Sequence, residues 1–114
     1  MKKNDILRKR EDFDLLYRNG KSSASRYVVL LYRKNGLSFN RCAFIASKKV
    51  GGSVERNRAR RLMREALRLF GSPLCQGYDM IFIARASITE SKCADVKKSI
   101  EAALKRADLI GKVS

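Results

Sequence analysis

Residues 47–70 read SKKVGGSVERNRARRLMREALRLF, and this segment constrains the chain more than any other. Gly51-Gly52 breaks the backbone before it, Ser53 stands where it could cap a helix, and Gly71-Ser72-Pro73 ends it, which predicts a helix over Ser53–Phe70. On a helical wheel with Ala59 at zero, Leu62, Met63, Ala66 and Phe70 fall within about 60°, a core-facing stripe. Asn57, Arg60, Arg61, Arg64 and Arg68 fall between about 100° and 200°, the opposite side, with Arg56 and Arg58 flanking the stripe. Glu65 could pair with Arg61 one turn away, and Glu55 could pair with Arg58 or stay solvated. Two carboxylates cannot neutralise such a row. A solvated helix face interleaves both signs, whereas a face that is all guanidinium suits bidentate contact with phosphate. Lys48 and Lys49 precede the glycines, which either let backbone N–H groups approach a phosphate at a helix N-terminus or simply make a tight strand-to-helix turn.

Composition agrees with a polyanion partner. The 114 residues carry 26 Lys+Arg against 11 Asp+Glu, a formal charge of +15, and a compact body repels itself at that charge unless an anion is bound. At 45% hydrophobic residues the chain is too apolar for a disordered basic tail. It has no His, which excludes imidazole acid–base chemistry and His-ligated metals. No apolar run approaches the roughly 18 residues of a membrane span, and Met1-Lys2-Lys3 leads into polar sequence rather than a secretory signal. Cys42, Cys75 and Cys93 are odd in number, far apart and without a C-x-x-C pair, so all three are expected to be small buried hydrophobes in a reducing cytoplasm.

The rest of the chain reads as one domain over 1–114. Residues 1–8 are expected to be a mobile basic arm, with Ile6 and Leu7 tacked onto the body. A helix over Glu11–Asn19 has acids at its start and Phe13, Leu16 and Tyr17 on one face, with Gly20 as its stop. Residues 21–25 form a polar connector or short edge strand. Arg26–Arg33 and Phe39–Ser47 read as strands joined through Asn35-Gly36 in a hairpin. Tyr78–Ala84 is a near-continuous apolar strand, and Ile88–Ala107 is a helix with Ser87 and Glu90 at capping-box spacing. Val96, Ile100, Ala103 and Leu104 make the apolar stripe of that helix. The strands flanking the arginine helix could share a sheet through a helical crossover, which is right-handed by the general rule.

Ser47-Lys48-Lys49-Val50-Gly51, then Arg56-Asn57-Arg58, then Arg60-Arg61-Leu62-Met63-Arg64-Glu65-Ala66, resembles the protein subunit of bacterial ribonuclease P. Glu11-Asp12-Phe13, Tyr17, Gly20, Arg26-Tyr27, Tyr32 and Tyr78-Asp79 match further stretches of that family, so the likeness covers about residues 8–106. It implies a single-domain α+β fold, an α-β-β-β-α-β-α sandwich with a mixed sheet of about four strands and a left-handed βαβ crossover, against the general rule. It implies a subunit that assists an RNA enzyme removing the 5′ leader of precursor tRNA. The RNA carries the active site, and Mg²⁺ is bound mainly by RNA.

Two surfaces follow from the resemblance. Lys48, Lys49, Arg56, Asn57, Arg58, Arg60, Arg61, Arg64 and Arg68 would dock on the catalytic RNA; Asn57 would bond RNA or tie the helix start to a loop. Phe13, Tyr17, Lys21, Arg26, Tyr27, Tyr32 and Arg33 would line a cleft for the single-stranded leader, stacking bases and neutralising phosphates, although a residue such as Phe13 more often belongs to a core, with partial exposure in the cleft. No protein side chain is expected to be catalytic or to hold a metal, and the protein is expected to be monomeric in a 1:1 complex with the RNA. The alternative is a ribosomal-type or generic RNA-binding module without a role in cleavage. A helix-turn-helix DNA reader is disfavoured because residues 39–50 look like strand, not a partner helix, and a protein-only nuclease because no cluster of metal ligands is visible.

Overall fold

The strand Tyr78–Ala84 is apolar on both faces, so it needs a neighbour on either side and cover above and below. The computed structural model, which describes residues 6–70 and 73–110, supplies all four. Its elements are α1 (Arg10–Asn19), β1 (Lys21–Ala24), β2 (Val28–Lys34), β3 (Arg41–Ile45), α2 (Ser53–Arg68), β4 (Tyr78–Ala84), a 3₁₀ turn over Ala86–Glu90, and α3 (Cys93–Arg106). The sheet order is β1-β2-β4-β3. β4 runs antiparallel to β2 and parallel to β3, while β1 pairs antiparallel with β2. The fold is therefore α+β with a mixed four-stranded sheet and three helices.

β2 and β3 do not form the expected hairpin. β4 lies between them, and the hairpin is β1–β2. Asn35-Gly36 does turn, with Gly36 at φ 74°, but the turn hands the chain across β4 rather than to an adjacent strand.

The two sheet faces carry separate apolar clusters. On one, Val28, Leu30, Met80 and Phe82 pack with Ala59, Met63 and Ala66 of α2 and with Val96, Ile100, Ala103 and Leu104 of α3. On the other, Ile81 packs with Leu7 and Leu16, flanked by partly exposed Phe13, Leu31, Ala43, Ile45 and Ile83. The strand alternation sorts these residues: Met80 and Phe82 look one way, Ile81 and Ile83 the other.

Several local expectations are corrected. Gly20 does not end α1 in the left-handed region; it is extended at φ −71°, and its N–H bonds Leu16 O, so close approach to the helix end favours glycine there. The N-cap of α2 is Gly52, with no side-chain cap from Ser53. α2 ends at Arg68, two residues before Phe70, which packs partly buried against the core. The helix expected over 88–107 is two pieces, and the cap of α3 is the one-way bond of the Lys92 N–H to Asp95 at 3.0 Å, not Ser87 with Glu90. Cys42 is buried, but Cys75 and Cys93 are only half-buried. At the amino end, Leu7 is 3% exposed and its N–H reaches Cys42 O at 2.9 Å, so the basic arm is tied to β3 at this point. Residues 1–5 lie outside the described residues.

Candidate nucleic-acid interface

α2 enters from a tight turn. Val50 and Gly51 donate their N–H groups to Ser47 O and Lys48 O at 3.0 and 3.2 Å, so these two donors are used inside the turn rather than offered to a phosphate. Gly51 sits at φ 145°, and a Cβ there would lie 3.0 Å from Glu55 Cβ. The turn leaves Lys48 and Lys49 exposed at the start of the helix.

Ala59, Met63 and Ala66 fix the buried stripe of α2, and the arginines fall into three groups. Arg58 is spent inside the protein: its Nη2 donates to Ser91 O at 2.7 Å, and Ser91 is 2% exposed. It therefore does not pair with Glu55, which is exposed. Arg56, Arg60 and Arg68 are held locally. Arg56 Nε reaches Gly52 O at 3.4 Å, Arg60 bonds Asn57 Oδ1, and Arg68 grips Glu65, with Nε–Oε2 at 3.2 Å. Glu65 thus pairs with Arg68 and not with Arg61. The hydrogen bond from Arg68 holds the Glu65 carboxyl below its ordinary range, and Glu65 in turn raises Arg68. Asn57, exposed, ties to its own helix rather than to a loop. Arg61 and Arg64 are exposed and enter no ion pair among the described residues. Arg64 lies over the Phe44 ring at 5.8 Å, bending from the helix toward the β3 edge.

That bend joins the arginine row to a cleft of about 480 Å³ lined by Phe13, Ala43, Ile45, Phe44, Ile6 and Arg64, among others. Phe13 is half-buried, at once core neighbour and cleft wall. Tyr17, on the same helix, is 55% exposed. Near the start of α1, Arg41 binds Asp79 through two hydrogen bonds, 2.8 and 2.6 Å, and approaches Asp12 at 3.4 Å. Asn35 Nδ2 completes the cluster on Asp79 Oδ1 at 2.9 Å. The Asp79 hydrogen bond raises the Arg41 pKa. Arg41 is thus neutralised internally and does not belong to the exposed positive row, a partnership that sequence reasoning missed. Among the described residues no three His, Cys, Asp or Glu side chains gather as a metal site.

The seven residues expected to line one cleft are not brought together. Tyr27 and Tyr32 pack against the α2/α3 side of the sheet, whereas Phe13 packs on the α1 side. Arg26 stacks over Tyr27 at 5.3 Å. Tyr32 meets Tyr78 with centroids 6.4 Å apart, and a separate hollow there gathers Lys21, Arg33 and Lys34. The signal that separates them is strand parity. Tyr32 shares the face of Val28 and Leu30, while Val29 and Leu31 belong to the α1 face.

Comparison with known proteins places this geometry in company. The family model described as Ribonuclease P matches residues 1–108. The chain is 47% identical over 103 residues to the "Ribonuclease P protein component" of Caldanaerobacter subterraneus subsp. tengcongensis, covering 90% of this chain and 89% of the relative. It is 44% identical to the protein of the same name from Pelotomaculum thermopropionicum, over 96% of this chain and 97% of the relative. The solved RNase P protein of Staphylococcus aureus superposes with a TM-score of 0.83 at 30% identity, over 94% of this chain and 98% of that one.

Proposed function

Because this chain belongs to the ribonuclease P protein family, we propose that it is the protein subunit of that ribonucleoprotein, gripping the catalytic RNA with α2 and the 5′ leader of precursor tRNA in the cleft beside α1. One observation carries the reading. Arg64 turns from the exposed arginine row onto Phe44 and into the cleft wall, so one guanidinium links a phosphate-binding surface to an apolar hollow. Single-stranded RNA needs that combination of backbone neutralisation and a surface for bases to stack on.

In this reading Lys48, Lys49, Arg60, Arg61 and Arg64 neutralise the folded RNA, while Phe13, with Tyr17 on the same helix, meets leader bases. Arg58 acts instead by fixing α2 against Ser91. Hydrolysis belongs to the RNA. Asp12 and Asp79 are committed to Arg41, so these carboxylates do not suit a protein Mg²⁺ site, and Mg²⁺ is held mainly by RNA. The working unit is one protein with one RNA in the cytoplasm. Among the described residues no helix is long and apolar enough to cross a membrane.

Reconstitution tests the reading. The protein is mixed with a bacterial ribonuclease P RNA at low Mg²⁺, and 5′ processing of precursor tRNA is followed. Cleavage is expected only with both components. Tight RNA binding without any gain in processing refutes the subunit role, and cleavage by purified protein alone refutes the assignment of chemistry to RNA.

A further inference from the structure

A cleft of about 680 Å³ opens between α3 and the β1–β2 connection, on the helix-covered side of the sheet. Arg26, Arg85, Lys98 and Arg106 line it with a single carboxylate, Asp95. That carboxylate is occupied in capping α3 through the Lys92 N–H. Arg106 Nη1 donates to Ala24 O at 2.5 Å, and Arg85 Nη1 donates to Ser25 O at 2.9 Å. Two consecutive carbonyls thus each hold one guanidinium group of the cleft lining, each by one nitrogen, leaving further N–H donors of each fork for a ligand. The floor is fixed as well: Ser25 and Ser99 hydroxyls bond at 2.5 Å, and the Tyr27 N–H reaches Ser99 Oγ at 3.0 Å. Arg26 is braced on the Tyr27 ring, and Lys98 is exposed and enters no ion pair among the described residues.

Four cations lining one cleft beside a single carboxylate repel one another unless an anion lies among them. We propose that this cleft is a second docking site for RNA backbone, taking phosphodiester groups of the catalytic RNA. It lies in the same layer as α2, whereas the hollow assigned to the leader is on the other face of the sheet. The inference rests on the reading of the chain as an RNA-bound subunit, and adds a contact that neither α2 nor the α1 cleft supplies.

The test is the salt dependence of binding to ribonuclease P RNA without precursor tRNA. The double variant Arg26→Ala, Lys98→Ala should lower the slope of log K against log salt by about 1–2 units, since each lost phosphate contact removes about one. Arg60→Ala with Arg61→Ala serves as the control. If the control flattens the slope and the double variant keeps wild-type affinity and slope, the cleft is refuted while the subunit reading stands. If wild-type protein does not bind the RNA, both fall. A loss seen only with precursor tRNA present overturns the assignment to the catalytic RNA. Should the double variant melt early by circular dichroism, Lys98→Glu on the exposed face of α3 replaces it. That reversal must weaken binding more than Lys98→Gln, and equal affinities refute the proposal.

Discussion

Arg58 and Arg61 stand three residues apart on α2, and the structure predicts opposite consequences for their loss. Arg58 Nη2 satisfies the carbonyl of Ser91, which is 2% exposed. Replacing Arg58 with Ala removes a charge-assisted hydrogen bond and leaves that carbonyl short of a partner in a nearly dry site. A hydrogen bond to a charged group contributes about 1.5–3 kcal/mol, and because Arg58 is only half-buried, water can enter the space it leaves and bond the carbonyl in part, so the expected cost is about 1–2 kcal/mol. In a chain of this size that is a fall in Tm of roughly 4–8 °C. The slope of RNA affinity against salt should barely move. Arg61→Ala should do the reverse. It removes a solvated charge from a crowded positive row, leaving stability unchanged or slightly raised, and it lowers the salt slope by about 0.7–0.9 if one phosphate contact is lost. Urea unfolding and filter binding at several salt concentrations, on the same two proteins, decide the matter. The division of the arginines into holders and readers is wrong if Arg58→Ala flattens the slope as much as Arg61→Ala while its unfolding midpoint stays put.

Asp79→Ala strands Arg41 beside the sheet with only Asp12 at 3.4 Å; urea unfolding should show a loss of about 2–3 kcal/mol, below the usual cost of breaking a buried pair because Arg41 keeps some water. Phe13→Ala should weaken binding of precursor tRNA with a long leader more than of mature tRNA, whereas Tyr27→Ala should affect both alike, because Tyr27 packs on the other side of the sheet. Gly51→Ala forces a side chain into φ 145° against Glu55, and a loss of about 1–3 kcal/mol is expected on thermal melting.

The helix that dominates the sequence was legible because its signals are local: two glycines before it, a Gly-Ser-Pro after it, and Ala59, Met63 and Ala66 at helical spacing. Strand order was not, because Asn35-Gly36 is a turn signal that says nothing of where the chain goes next. Better information lay in Tyr78–Ala84. A strand with Met80 and Phe82 on one face and Ile81 and Ile83 on the other, all apolar, belongs inside a sheet with a neighbour on each side, although this does not say which strands those neighbours are. The aromatic residues were misgrouped for a related reason. Helical spacing puts Phe13 and Tyr17 on one face, but the family resemblance that adds Tyr32 to them carries no strand parity, and parity with Val28 and Leu30 sends Tyr32 to the other face. Charge counting failed where it needed partners: Arg41 and Arg58 add to the total yet are spent on Asp79 and Ser91.

The open cleft itself follows from unequal cover. Neighbouring strands lie about 4.8 Å apart, so four strands span roughly 14 Å between the outer axes, plus the width of the edge strands. On one face the sheet packs against α2 and α3 together, each about 10 Å wide, which cover its middle. On the other a single helix of ten residues, about 15 Å long, packs on β2 and β4. Ala43 and Ile45 of β3 are left partly exposed beside Phe13, and Leu7 bonds the strand at Cys42. An apolar surface left bare in this way normally invites self-association. Here Arg64 overhangs it from the far side of β3, so the surface suits a ligand that is flat and apolar in its bases and anionic in its backbone. Placing a carboxylate at the rim should test that logic: Arg64→Glu leaves α2 folded, since residue 64 is exposed, but should weaken precursor tRNA far more than Arg64→Gln does. If the two variants bind the leader equally well, the rim charge has no part in recognition.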